Sequence, residues 1–276
     1  MGGSGRPPKP PRSSRPGEAG ALLERAPQAS GRSSTASICS RALTPTDIIL
    51  AAAMIELRHV GKVYQVGSAR IPSLTDVSFR VDRGEFVVLH GPSGAGKTTL
   101  LRLLYRAAVP TEGEVEVLGH TLHDLRRSEV AALRRSIGVV FQDAKLLQAR
   151  TVYDNIAFVL RVLGTPRRAV KAGVLEALRT VGLGARAQSY PSQLSQGEAQ
   201  RAALARAIVR KPPLLLADEP TGNLDDDMAG EVLGVIRDIW ACGTTVLLAT
   251  HQSRLAAQLR RRTLRLEGGR LVKDEG

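Results

Sequence analysis

Gly91-Pro92-Ser93-Gly94-Ala95-Gly96-Lys97-Thr98-Thr99 follows directly on the apolar run Phe86-Val87-Val88-Leu89 and leads into Leu100-Leu101-Arg102-Leu103-Leu104, whose leucines recur at helical spacing. The spacing G-x-x-x-x-G-K-T between a buried strand and a helix predicts a phosphate cradle. A glycine-rich turn there lets successive backbone N–H groups point at phosphate oxygens, and the positive end of the helix adds to their field. On this reading Lys97 reaches the β- and γ-phosphates of a nucleotide and Thr98 helps to hold Mg²⁺.

Upstream of the loop, Ile55 to Tyr64 and Leu74 to Val81 alternate over short stretches with glycine breaks at Gly61 and Gly67, which predicts an antiparallel hairpin sheet. Gly84 turns it into the buried strand. Residues 1–53 are rich in Pro, Gly, Ser and Arg and lack any apolar period, so they are expected to be a disordered extension, dispensable for nucleotide binding. Their Arg/Ser bias superficially suits an organelle transit peptide. The abrupt start of the folded pattern at Met54 instead favours Met54 as the true start.

Downstream, Gly113 to Gly119 reads as an alternating strand, Ser128 to Arg135 as a helix, and Ile137 to Phe141 as a buried strand ending at Gln142. Thr151 to Leu163 and Arg168 to Val181 then carry apolar residues at helical spacing with no strand between them. An inserted helical subdomain is expected over about 143–192. Leu214 to Ala217, a helix from Met228 to Trp240, Thr245 to Ala249 and a hairpin through Gly268-Gly269 complete the pattern. Strands that are apolar throughout and alternate with helices predict an α/β fold with a parallel sheet covered on both faces.

Leu214-Leu215-Leu216-Ala217 ends in two adjacent acids, Asp218 and Glu219. In a parallel sheet, ligands bind beyond the carboxyl ends of the strands. Asp218 is therefore expected beside the phosphate loop as a Mg²⁺ ligand, and Glu219 at the γ-phosphate, where it takes the proton of an attacking water. Ser195 with Glu198 three residues later is a capping box before the helix-forming run Ala199 to Arg210. The same hydroxyl, with the backbone of Gly197 at a helix N-terminus, makes an anion site.

The rest of the composition narrows the classes. The longest apolar run, Ile48 to Ile55, is too short for a bilayer, which takes about 20 residues. Cys39 and Cys242 stand far apart, which suggests neither a disulfide framework nor a zinc site. Of the net charge of +13, the first 53 residues supply four, with seven Lys/Arg against three Asp/Glu, leaving +9 for the body. That balance suits an anionic inner leaflet as well as nucleic acid. Aromatic residues at 3% argue against base-stacking platforms, and no nucleic-acid partner is expected.

Taken together, these motifs resemble the ATP-binding subunit of an ABC transporter, from Met54 to about Val272, with the nucleotide-binding domain over 54–276. The resemblance implies that Gly91 to Thr99 bind ATP, that Leu194 to Glu198 are the signature segment, and that Gln142, which also faces the Mg²⁺, belongs to the Q-loop. Asn223-Leu224-Asp225 matches the D-loop, His251 the switch histidine, and Tyr64 the aromatic that stacks on adenine. Gln196 departs from the family's glycine and Gln252 from the acid that often follows the histidine. A head-to-tail homodimer holding two ATP molecules is implied, with Ser195, Gly197 and Asp225 meeting the nucleotide of the opposite chain.

Phe141-Gln142-Asp143, Thr151-Val152-Tyr153-Asp154-Asn155 and the run from Leu216 to Asp226 are similar to the FtsE cell-division ATPases. That family implies an FtsX-like membrane subunit, control of cell-wall hydrolysis, and a place on the cytoplasmic face of the inner membrane. The partner is expected on the surface between Gln142 and Tyr190, with Leu146 and Leu147 in the groove. The lipoprotein-release and macrolide-export ATPases remain an alternative, as does a nucleotide-dependent scaffold with little turnover.

Overall fold

The computed structural model describes Gly2 and residues 53–276. The extension expected over 1–53 lies outside the described residues save for Gly2 and Ala53.

Two sheets carry the chain. The first has four antiparallel strands in the order β2-β1-β4-β5, formed by β1 (Ile55–Val66), β2 (Ala69–Val81), β4 (Glu112–Val117) and β5 (His120–Thr121). Val66 pairs with Ala69 across a two-residue turn at Gly67, so the hairpin is longer than the alternation suggested. Gly61 does not break β1. The strand runs through it, absorbing irregular pairing between Leu57 and Val63 as shifts of register.

The second sheet runs β10-β9-β3-β8-β7-β6, with β3 (Phe86–His90), β6 (Ile137–Val140), β7 (Leu214–Asp218), β8 (Thr245–Thr250) and β9 (Arg262–Glu267) parallel, and β10 (Arg270–Glu275) antiparallel at the edge. Its strands are apolar throughout because both faces are covered. Phe86 and Val88 enter one buried cluster and Val87 and Leu89 the other; Leu215 and Ala217 divide from Leu214 and Leu216 in the same way. One face packs against α1 (Lys97–Leu104) and the antiparallel sheet, and α1 contributes Leu100, Leu101, Leu103 and Leu104 to that core.

The other face is covered by α3 (Val152–Val162), α4 (Arg167–Thr180), α5 (Gln196–Ile208), α6 (Asp226–Ala241) and α7 (Ser253–Leu259), while α2 (Arg127–Arg135) lies beside β6. Three of these helices begin on a side chain that accepts a backbone N–H: Thr151 for α3, Ser195 for α5 and Asp225 for α6. α3 and α4, with two short turns of 3₁₀ helix at Gly184–Arg186 and Pro191–Gln193, stand between β6 and α5.

The turn ahead of α3 differs from expectation. Leu146 is not a groove residue: at 6% exposure it belongs to the core with Val152 and Ile156, whereas Leu147 is 42% exposed. Buried Asn155 sets this arrangement. Its Oδ1 accepts from Leu147 N at 2.7 Å, and its Nδ2 donates to the carbonyls of Leu147, Arg150 and Thr151. These bonds curl the segment so that Leu146 faces inward.

Candidate functional site

The phosphate loop joins the carboxyl end of β3 to α1. Gly96 caps α1 in a left-handed conformation, φ 105°, and a Cβ there would lie 2.7 Å from Ser73 O, so only glycine fits. Ser73 also donates from Oγ to Thr99 Oγ1 at 2.8 Å, tying β2 to the helix start. Ala95 is buried within the loop and donates its N–H to Pro92 O at 3.2 Å. Pro92, Ser93 and Gly94 form its exposed rim.

Lys97 turns back into this cradle. Its Nζ donates to Gly91 O at 2.8 Å and Pro92 O at 3.1 Å, and lies 3.3 Å from Glu219 Oε1. Thr98 Oγ1 donates to Asp218 Oδ1 at 3.3 Å, bringing together the two side chains expected at a metal. Burial pushes the Asp218 carboxyl above its ordinary range, the Thr98 bond opposes this, and the neighbouring Glu219 charge adds to it.

Glu219 is the centre of the site. Its backbone sits at φ 49°, a left-handed conformation that a glutamate adopts only under constraint. The constraint is visible: Glu219 N donates to Ala249 O at 2.9 Å, and Gly222 N returns to Glu219 O at 3.1 Å. The side chain is then aimed inward. Oε2 lies 2.8 Å from His251 Nδ1 and accepts from His251 N at 3.2 Å, while Oε1 faces Lys97.

Gln142 lies two residues beyond the end of β6 and donates from Nε2 to Asn223 Oδ1 at 3.4 Å, beside Gly222. It therefore borders the turn after Glu219, and among the described residues no hydrogen bond joins it to Thr98 or Asp218. Tyr64 stands near the tip of the β1–β2 hairpin with Lys62 Nζ 5.0 Å from its ring centroid and its hydroxyl buried without a hydrogen-bond partner. Ser195 Oγ accepts from Glu198 N at 3.1 Å and Glu198 Oε2 accepts from Ser195 N at 2.9 Å; the Ser195 bond, with Arg186 nearby, holds the Glu198 carboxyl below its ordinary range.

Gly197 lets α5 close on α6, since a Cβ there would lie 3.0 Å from Met228 Sδ. Asp225 accepts from Met228 N at 2.8 Å. Ser195, Gly197 and Asp225 thus form one unit, and among the described residues no hydrogen bond or ion pair joins them to residues 91–99 of the same chain.

The geometry fits a nucleoside triphosphate. A buried ammonium now satisfied by two loop carbonyls and a carboxylate would find better partners in phosphate oxygens. The hydroxyl and carboxylate of Thr98 and Asp218 are the hard oxygen donors that Mg²⁺ prefers. Sequence reading missed Asn223 as the partner of Gln142 and Asn155 as the organiser of the segment after it. The sequence signal for Asn155 was an amide among apolar residues at the start of a helix.

Residues 74–222 match the model of the ABC transporter family. The cell division ATP-binding protein FtsE of Mycobacterium tuberculosis is 50% identical over 222 residues, covering 80% of this chain and 96% of that protein. The FtsE of Escherichia coli is 44% identical over 218 residues, covering 79% and 97%. A solved dimeric ATP-binding cassette in a post-hydrolysis state, bound to ADP and Pi, superposes with a TM-score of 0.74 at 33% identity, covering 80% of this chain and 98% of that one. With its phosphate loop, paired acids and histidine gathered at the carboxyl ends of β3, β7 and β8, the chain belongs to the ABC transporter family of ATP-binding proteins, alongside the FtsE cell-division proteins.

Proposed function

We propose that this ATPase drives a membrane partner in bacterial cell division, hydrolysing ATP in a head-to-tail dimer at the cytoplasmic face of the inner membrane. The observation that carries the hydrolytic reading is the clasp on Glu219, held between Lys97 and His251 in a backbone conformation that aims its carboxylate into the site. When ATP enters, Lys97 Nζ exchanges its loop carbonyls and Glu219 for phosphate oxygens. The released carboxylate accepts a proton from water as the water oxygen bonds to the γ-phosphorus and the bond to the ADP oxygen breaks. His251 keeps Glu219 oriented. Thr98 and Asp218 would hold Mg²⁺, with Gln142 as a third oxygen donor. The ion supplies neutralisation of the phosphate charge.

Tyr64 is assigned to adenine, and the unit built from Ser195, Gly197 and Asp225 to the nucleotide of a second copy. Among the described residues that unit makes no hydrogen bond or ion pair to its own phosphate loop, which leaves it open to the nucleotide of a second chain. No helix among the described residues is long and apolar enough to cross a membrane, so the membrane link is assigned to an FtsX-like permease. Its cytoplasmic segment is assigned to the surface between Gln142 and Tyr190, where Leu147, Phe158 and Val162 present exposed apolar side chains.

Glu219→Gln tests the motor reading. The amide keeps the shape but cannot take the proton, so phosphate release should fall about 10²- to 10⁴-fold. ATP should then accumulate the dimer in size-exclusion chromatography. Equal phosphate release and equal dimer fractions for both proteins would favour a scaffold with little turnover.

A further inference from the structure

The turn that carries His251 is held from a second side. β3 ends at His90, one residue before the phosphate loop, with Thr250 of β8 and Arg265 of β9 beside it in register. Strand alternation puts the imidazole on the face of Phe86 and Val88, under the start of α7. Its Nε2 lies 3.3 Å from Ser253 Oγ, while Nδ1 is buried and has no hydrogen-bond partner. Arg265, its register neighbour, directs its Nε to Glu267 Oε1 at 2.8 Å.

A buried lone pair without a partner is easier to tolerate than a buried N–H without one. A ring carrying its proton on Nε2 and donating to Ser253 Oγ is therefore favoured. One residue earlier, Gln252 N donates to Thr250 Oγ1 at 3.1 Å. Each residue of the turn is thus tied down: His251 to Glu219, Gln252 to Thr250 and Ser253 to His90. α7 is only seven residues long, so the turn gains little rigidity from its helix.

We infer that His90 is a positioning residue for hydrolysis: through Ser253 it fixes the turn bearing His251, and so sets Glu219 against the phosphate loop that begins at Gly91. The inference rests on the reading of Glu219 and His251 as the hydrolytic pair. One strand end then carries both the cradle and the brace of the switch turn. A shift of the loop on nucleotide arrival reaches His251 along that strand as well as through Glu219.

The test uses the full chain and the variants His90→Ala, Ser253→Ala, the two combined, and His90→Gln, whose amide reaches the Nε2 position. Each single alanine variant is expected to lower kcat about three- to tenfold, the scale of one hydrogen bond, with KM for ATP within about twofold. The double variant should be no worse than the worse single one, and His90→Gln should recover most of the loss. A wild-type kcat for His90→Ala, losses that multiply in the double variant, or a KM effect alone would overturn the proposal. Should His90→Ala fail to fold, Ser253→Ala decides: it removes one exposed hydroxyl, and a wild-type kcat overturns the strut. Glu219→Gln in the same assay separates the levels. If it retains turnover, the hydrolytic pair and this inference both fall; if it is inactive while His90→Ala matches wild type, only the strut falls.

Discussion

Lys97 Nζ and Glu219 Oε1 lie 3.3 Å apart with the two side chains 6% and 12% exposed, so the group placed for phosphate and the group placed for water hold each other. While Oε1 faces the ammonium, that oxygen is not open to a water molecule. The approach of a triphosphate competes for the ammonium and frees the carboxylate in one event, which couples readiness for hydrolysis to occupancy of the cradle.

Lys97→Ala should therefore weaken ATP binding by about 10- to 100-fold, the worth of a charge-assisted hydrogen bond lost from a buried site. Isothermal titration with ATP at fixed salt reads the affinity directly. An affinity within twofold of wild type would mean that the loop backbone alone holds the phosphates.

Asn155→Ala should cost about 2–3 kcal/mol, because it leaves the Leu147 N–H and three carbonyls seeking partners. For a folded body of this size that is a fall in Tm of about 4–12 °C. Asn155→Asp should fare no better, since a carboxylate cannot donate to those carbonyls. Calorimetry checks both, and limited proteolysis should find the segment 143–150 opened in each.

Leu147→Asp and Leu146→Asp should behave differently although they are neighbours. The first places a carboxylate on an exposed site and should leave Tm within about 2 °C, with ATP hydrolysis intact and capture of the membrane partner weakened. The second buries a charge in the core and should unfold the protein or lower Tm by more than about 10 °C. Thermal melts beside pull-down from solubilised membrane distinguish the two, and unaltered capture by Leu147→Asp would move the docking surface elsewhere.

The features legible in the sequence were those written locally. The glycine spacing from Gly91 to Thr98, the apolar strand before Asp218 and the capping box at Ser195 each lie within a few residues, so period and spacing suffice. What could not be read depends on contacts between distant segments. His90 meets Ser253 across 163 positions and Gln142 meets Asn223 across 81, and no local pattern records either meeting. Leu146 and Leu147 look alike in sequence; only the four bonds of Asn155 decide which one turns inward. Gly61 looked like a break because the alternation lapses there, whereas the pairing shifts around it and the strand goes on.

The phosphate loop is bracketed by a hairpin made long after it. Gly269 N donates to Ala95 O at 3.1 Å, Gly269 O accepts from Thr75 N at 2.8 Å, and Gly91 lies so close to Leu266 O that any side chain would overlap it. During synthesis from the N-terminus, the loop leaves the ribosome well before β9 and β10 exist to close on it. The nucleotide site, whose loop lies at residues 91–99 of 276, is thus among the last parts to be finished. A nascent chain arrested before Arg262 carries every residue of the phosphate loop yet lacks the wall that shapes it. Competence to bind ATP then reports that this hairpin has been made and has folded.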